Sequence, residues 1–390
     1  MTRAGLRVLH VCHEFPPETI GGISTQASDL VDGLRALGVH GAVATVPSRT
    51  GAPTPYPVAR SDRFPYRPPR EWTYTELHAL LGDACQRAAE TMDFDIVHCH
   101  ESKAFPASRE FCARNGVPLV ATAHSTEAGR RRGELEADHV EQEHLRLQMV
   151  REANRAIAVS EAVRSALVGY GVAGNAVTVV RNGVPDHGTA SGRPDRRTLN
   201  LCFVGRLEFE KGADFIAPIV RGVRRALPSV RVTVAGEGRL RPALEAWVHA
   251  ECAPGTVELL GAVDRPRALS VIARSDVLVI PSRYDSYSMV MLEAASLGTP
   301  TVAFDVGGLA EFIEHGRSGV LVPPDDVERL TGAVVALLSD PGERRRIGAG
   351  ARERYLTRGS VERMAFETLR VYRDAIRSHA APSRYAAQVR

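Results

Sequence analysis

The sequence predicts an α/β protein made of two Rossmann-like domains, and three observations carry that expectation. Short β-branched runs alternate with helix-length segments along most of the chain, which is the pattern of βαβ units around a parallel sheet covered on both faces. The alternation stops once, over 185–198, where the residues turn polar and rich in Gly and Pro, and then restarts. At 390 residues the chain is also too long for one ordinary core of ~150 residues.

The first half offers strand patterns at Leu6–Val11, Val39–Val46, Ile96–Cys99, Leu119–Ala123, Ala156–Val159 and Val177–Val180. A helix is expected between the first two, from about Thr25 to Leu37. The stretch 185–198 reads as a linker. After it, strand patterns return at Leu199–Val204, Val230–Ala235, Val257–Leu260, Val277–Ile280, Thr301–Phe304 and Gly319–Val322. Past Pro341 the chain looks helical, and Ser360 is placed to cap a last helix from about Val361 to His379. The division expected is therefore 1–187, 198–365 and a C-terminal helix over 366–390 that packs back on the first domain.

Composition narrows the function. With 44% hydrophobic and 24% charged residues the chain is a globular protein with ample core material. The net charge is only +3, too small a surplus to demand a nucleic-acid or membrane partner. No apolar run approaches the ~18 residues that span a bilayer, and the start runs straight into a strand pattern, so the chain is read as cytoplasmic. Lys103 and Lys211 are its only lysines, which makes each position informative. Six scattered cysteines without a C-x-x-C pair give no disulfide framework or zinc motif.

In open α/β sheets ligands bind beyond the carboxyl ends of the strands, and two such sheets facing each other would enclose a cleft. The first strand leads into Gly21-Gly22 ahead of a helix, a turn that can bring amides against an anion. Its spacing is not G-x-G-x-x-G, so a dinucleotide fingerprint fails. The corresponding turn of the second half is Gly205-Arg-Leu-Glu-Phe-Glu-Lys-Gly212, where Arg206 and Lys211 are two cations suited to a diphosphate leaving group. Farther on, Asp285 and Glu293 flank a helix start near Ser288. Asp285 then stands in the loop, Glu293 lies on an early turn, and the amides of Ser288, Met289 and Val290 point at whatever anion occupies the N-terminus. His98 and His100, two apart on a strand, face one side. A metal pair there lacks a third ligand, so no metal is assigned and His100 is taken to line the acceptor cleft. The Arg130–Arg132 run reads as a solvated charged face.

Together the strings Gly205-Arg-Leu-Glu-Phe-Glu-Lys-Gly, Ala235-Gly-Glu-Gly-Arg-Leu, Pro281-Ser-Arg-Tyr-Asp-Ser-Tyr-Ser-Met-Val-Met-Leu-Glu-Ala, Gly307-Gly-Leu-Ala-Glu, Ala123-His-Ser-Thr-Glu-Ala-Gly-Arg and Arg181-Asn-Gly-Val resemble retaining GT-B glycosyltransferases of family 4, glycogen-synthase-like. The likeness covers nearly the whole chain in the right order. It implies two facing domains with an interdomain cleft, a nucleotide-diphosphate sugar as donor substrate, and no cofactor or catalytic metal. It implies further that Arg206 and Lys211 bind the diphosphate and that Ser288 to Val290 supply phosphate-binding amides. By the same likeness Glu293 holds the ribose hydroxyls, Asp285 contacts the donor sugar, Gly22 approaches the diphosphate or acceptor, and His124 stands near the donor sugar and acceptor hydroxyl. The sequence departs from the family where Asp285 replaces the usual Glu and where Ser286 and Ser288 replace common glycines. The reaction implied is transfer of a hexosyl group with retention to a soluble polar acceptor: a glucan, small sugar, cyclitol or specialised metabolite. A phosphorylase or nucleotide-sugar epimerase on the same scaffold, and a catalytically degenerate nucleotide-sugar-binding protein, are the alternatives.

Overall fold

The computed structural model describes residues 5–17, 21–48, 56–64, 66–68, 71–131, 133–134, 136–189 and 198–380. Most of the expected linker, 190–197, lies outside these residues, as do Arg132 and the end of the last segment, 381–390. The chain divides into two units, one running to Arg181 and resuming at Val361, the other spanning Asn182–Ser360.

The first unit is a seven-stranded sheet. Its strands are β1 (Arg7–Cys12), β2 (His40–Thr45), β3 (Val58–Arg60), β4 (Ile96–His100), β5 (Leu119–Ala123), β6 (Arg155–Ala158) and β7 (Val177–Val179). They pair in parallel in the order β3-β2-β1-β4-β5-β6-β7. The central strands carry no alternation: every residue of β4 and β5 is buried, as a sheet covered on both faces requires. The connecting helices are α1 (Gly22–Ala36), α2 (Tyr74–Ala89), α3 (Phe105–Asn115), α4 (Glu127–Arg130), α5 (Ala137–Glu152) and α6 (Glu161–Gly169). Helix α1 starts three residues before the expected Thr25, directly after Gly21. Side-chain caps set other starts: Thr73 and Glu76 form a reciprocal capping box on α2, and the Ser160 hydroxyl accepts from Val163 N–H at the start of α6.

The second unit repeats the plan with six strands: β8 (Asn200–Val204), β9 (Arg231–Ala235), β10 (Val257–Gly261), β11 (Val277–Ile280), β12 (Thr301–Phe304) and β13 (Val320–Val322). All are parallel, in the order β10-β9-β8-β11-β12-β13. Helices α7 (Ile216–Ala226), α8 (Arg241–Glu251), α9 (Arg265–Arg274), α10 (Met289–Leu297), α11 (Gly307–Phe312), α12 (Val327–Ser339) and α13 (Pro341–Arg358) surround it. Its core joins Leu201, Val220, Val232, Val302, Leu330 and Ile347 among others.

The chain ends in α14 (Val361–Ala380), which belongs to the first unit. Its buried face, including Met364, Ala365, Leu369 and Tyr372, joins Val8, Leu30, Ile96, Val120 and Ile157 in one core. None of the described helices is long and apolar enough to cross a membrane.

In each sheet the chain builds outward through three strands and then returns to the other side of the first. The reversal falls between β1 and β4 in one unit and between β8 and β11 in the other. In such sheets ligands bind beyond the carboxyl ends of the strands at this point of reversal.

Candidate functional site

In the second unit the switch-point loops hold the residues singled out from the sequence. Past β8, Arg206 pairs with Glu210, and Lys211 ends a 3₁₀ turn over Phe209–Lys211. Past β11, Asp285 is 5% exposed, and the Lys211 Nζ lies 2.9 Å from its Oδ2. Gly212 makes this approach close: with φ +67, a Cβ there would fall 1.8 Å from the carbonyl oxygen of Pro281. Gly307 meets the other side of this loop as closely, at φ +47 with a Cβ 2.3 Å from the Asp285 backbone carbonyl oxygen.

The same two loops are clamped by Arg283, which the sequence reading passed over. Its guanidinium forms two 2.7 Å hydrogen bonds to Asp214 and lies 3.7 Å and 3.8 Å from the Phe209 and Phe215 ring centroids. Its backbone N–H donates to the Glu210 carbonyl at 2.9 Å. The available signal was an arginine flanked by the Pro281–Asp285 string and facing two aromatic residues after β8.

Ser288 is the N-cap of α10, its hydroxyl accepting from Met291 N–H at 3.3 Å, and Met289 is the first helical residue. The N–H groups of Met289 and Val290 therefore fall in the helix's first turn, which offers no intrahelical acceptor. Glu293, 5% exposed, accepts from Arg265 Nε at 2.8 Å. Arg206, Lys211, Asp285, Ser288, Met289, Val290 and Glu293 thus all sit on the segments following β8 and β11. Each ionised member already has a counter-ion: Glu210, the Lys211–Asp285 pair itself, and Arg265.

In the first unit, His13, Glu101 and His124 follow β1, β4 and β5, three neighbouring strands. Gly22, an exposed residue, opens α1. His124 is 5% exposed and its Nε2 is buried with no partner among the described residues. Burial lowers its pKa to about 4, against a raising effect from Glu101, with Arg130 and Arg146 lowering it further. His13 is held near 3 by burial and by Lys103. Both imidazoles are neutral at pH 7.

Beneath His124 lies a buried charge cluster. Arg146 of α5 contacts Glu101 at 2.8 Å, Glu127 at 3.3 Å and Glu143. Burial alone would raise Glu101, but Arg146 beside it brings its pKa down to about 2.

His100 corrects an expectation. It is fully buried at the end of β4, its Nε2 3.2 Å from His10 Nδ1, and so is not open to an acceptor. The third imidazole missing from the sequence reading is His10 on the neighbouring strand; nitrogens of His10, His98 and His100 lie within 4.8 Å of one another. All three are neutral, because burial drives their pKa values down. The chemistry of the set nevertheless fits hydrogen bonding better than a metal. His98 spends Nδ1 on Tyr372 Oη and Nε2 on Thr122 Oγ1, both at 2.7 Å, leaving no nitrogen to meet an ion at ~2.0 Å.

Comparison with known proteins bears on both units. Residues 20–187 match the model described as Glycosyltransferase Family 4, and residues 198–340 that of Glycosyl transferases group 1. The chain is similar to a glycogen synthase of Mycobacterium tuberculosis, 32% identical with 97% of each chain covered. It is also similar to an alpha-maltose-1-phosphate synthase of Mycolicibacterium smegmatis, 29% identical over 94% of this chain and 99% of that one. A D-inositol 3-phosphate glycosyltransferase of Gordonia bronchialis is 33% identical over 78% and 71%. Among solved structures, sucrose-phosphate synthase from Thermosynechococcus elongatus superposes with a TM-score of 0.81 at 20% identity, covering 96% of this chain and 100% of that one. Anabaena HepE in complex with UDP-glucose gives 0.74 at 17%, covering 94% and 99%. Both likenesses are of fold.

Proposed function

This chain belongs to the family 4 glycosyltransferases, and on that premise we propose that it moves a hexosyl group, with retention, from a nucleotide-diphosphate sugar to a soluble polar acceptor. The observation that carries the donor assignment is the gathering of Arg206, Lys211, Asp285, Glu293 and the start of α10 on the loops of one switch point. Breaking the bond between the anomeric carbon and phosphate leaves an oxocarbenium-like sugar and a diphosphate of growing negative charge. Fixed cations and amide dipoles lower that barrier because they need no reorganisation when the charge appears. Arg206, Lys211 and the first-turn amides of α10 supply them. On this reading the diphosphate displaces Glu210 and Asp285 from the two cations, and Asp285 turns to a hydroxyl of the donor sugar. Glu293, steadied by Arg265, accepts from the ribose.

The leaving phosphate oxygen takes the acceptor's proton, so no protein base and no metal is assigned to that step. His124, uncharged, stands at the reacting centre as a hydrogen-bonding group. The relatives' names divide among glycogen, maltose 1-phosphate and inositol 3-phosphate, so the acceptor is proposed as a class, a sugar or sugar-like alcohol.

Thermal-shift screening against nucleoside diphosphates, followed by turnover with the matching nucleotide sugars, tests the reading. One diphosphate should stabilise the protein, and Arg206→Ala and Lys211→Ala should each weaken its binding and slow turnover by about a hundredfold, the worth of one lost contact to charge developing on the leaving group. Indifference to every donor, or unchanged affinity in both variants, contradicts it. Dependence on inorganic phosphate would mark a phosphorylase, and sugar isomerisation without acceptor an epimerase.

A further inference from the structure

We infer that Glu101 is a positioning residue for the transfer: clamped by Arg146, its carboxylate fixes the backbone of His124 and sets an anion beneath the imidazole. The inference rests on His124 standing at the reacting centre, as proposed above.

The geometry begins with the sheet. β4 and β5 are neighbours, and His100 lies opposite Thr122 in their ladder. One residue past the ladder, Glu101 N–H donates to the Thr122 carbonyl at 3.1 Å. The side chain then returns across the same gap: Oε2 accepts from His124 N–H at 3.2 Å. Two bonds therefore stitch the end of β4 to the end of β5, one on either side of Ala123.

The other carboxylate oxygen is used as fully. Oε1 accepts from Ser102 N–H at 3.1 Å and from Arg146 Nε at 2.8 Å. The whole residue is 4% exposed. The carboxylate's orientation is fixed by three hydrogen bonds from three different residues, His124, Ser102 and Arg146.

The backbone shows that this placement is imposed. Glu101 has φ 73 and ψ 160, a region that glycine enters readily and other residues avoid. A charge kept only to pair with Arg146 would not need it, since Glu127 and Glu143 reach the same guanidinium from ordinary helical positions. The left-handed turn is what directs the carboxylate back to His124.

The charges facing the imidazole are Glu101 from the end of β4, Arg130 from α4 and Arg146 from α5, with neutral His13 and His100 alongside. Glu101 is the one anion among those acting on His124. Removing its charge takes away the anion that favours the protonated ring, while Arg130 and Arg146 continue to oppose it, and so makes the ring still harder to protonate.

The test compares wild type, Glu101→Gln, His124→Asn and the double variant, in turnover and in an NMR titration of the His124 ring. Glu101→Gln should lower kcat by about a hundredfold, the scale of a ~1 Å misplacement at a reacting centre, with donor KM within about threefold, because the donor-holding groups lie in the other unit. The His124 ring should titrate at lower pH than in wild type, and its backbone N–H should exchange faster. In the His124→Asn background the same substitution should cost little more, since a residue that acts through another adds nothing once that other is gone. Wild-type kcat in Glu101→Gln overturns the inference, as does a kcat loss with an unmoved His124 titration or with the full additive cost in the double variant. Wild-type turnover in His124→Asn sinks the underlying reading of His124 instead. Should Glu101→Gln fail to fold, Glu101→Asp keeps the charge for Arg146 while withdrawing the carboxylate by one methylene. It should lose kcat but melt near wild type, and full kcat there overturns the inference equally.

Discussion

Substituting Gly212 by alanine isolates the contact between the two donor-side loops. The added Cβ would sit 1.8 Å from the Pro281 carbonyl oxygen, and real Cβ contacts stay above 3.0 Å, so at least 1.2 Å of movement is required. The atom in the way is backbone, which cannot swing aside as a side chain would. Placing an L-residue at φ +67 costs about 1–2 kcal/mol, and forcing apart packed backbone a further ~1–3 kcal/mol. The sum, roughly 2–5 kcal/mol, corresponds to a melting point lower by about 4–20 °C for a unit of this size. Function should suffer more than stability. Displacing Pro281 carries Asp285 away from Lys211, which meet at 2.9 Å, and a ~1 Å error at such a site costs on the order of a hundredfold in kcat/KM. Gly255 supplies the control, with φ +76 and nothing within 4 Å of its virtual Cβ: Gly255→Ala should show the backbone cost alone and normal turnover. Differential scanning calorimetry and donor kinetics on both variants decide the matter. A Gly212→Ala protein that melts with Gly255→Ala and keeps wild-type kcat/KM would refute the reasoning.

Asp285→Asn should bind the free nucleoside diphosphate about tenfold tighter while losing turnover, because a carboxylate ~4 Å from the incoming phosphates repels them by about 1–4 kcal/mol; weaker binding by calorimetry would contradict this. Tyr372→Phe leaves His98 Nδ1 buried and unpaired where a 2.7 Å bond stood, and urea melts should register a loss of ~1–3 kcal/mol. Stability should fall as pH drops below 6.5. His10 and His13, with pKa values near 3, and His124, near 4, stay neutral in the fold while their unfolded counterparts protonate, so each takes away up to ~1.4 kcal/mol per pH unit. Glu101, held near 2, adds a second loss below about pH 4.5, and a melting point flat between pH 7 and 5 would contradict the buried-histidine part.

The parts legible in the sequence are those whose cause is local. Twelve strands announced themselves as short apolar or β-branched runs, the central ones because a parallel strand covered on both faces must be apolar throughout, whereas β3 did not: Val58–Arg60 is three half-buried residues at the sheet edge, with no run and no period. Helix α1 was expected to start at Thr25 because Gly21-Gly22 reads as a turn, yet the turn ends at Gly21. On the donor side the spacing from Asp285 to Glu293 was enough to place one in a loop and the other in a helix, since both lie on one continuous segment. The Glu101–Arg146 cluster was illegible for the opposite reason. Its members are 45 positions apart and meet only because β4 and β5 are adjacent while α5 covers them, a fact of topology that no window of residues contains. His10 was hidden likewise, in a strand that reads as ordinary until its register puts it across from His98.

The ion pairs on the donor loops explain how cations needed for an anionic substrate coexist with a stable fold. Arg206, Lys211 and Arg283 are brought to neighbouring loops, and three unscreened cations there would push those loops apart. Each is instead met by a carboxylate: Glu210, Asp285 and Asp214. The pairs are not equivalent. Arg283 is 7% exposed at its side chain, gripped in bidentate fashion and sandwiched on two aromatic rings, so it has no geometry left with which to take a new partner. Arg206 and Lys211, at 30% and 25%, retain solvent access and hold single contacts, so each keeps N–H donors to offer a new partner. A diphosphate offering several oxygens to both cations at once outcompetes two such contacts easily, whereas it could not dislodge Asp214 from Arg283. The loops therefore separate the cation that builds the site from the cations that serve it, by burial and by the number of bonds each already makes.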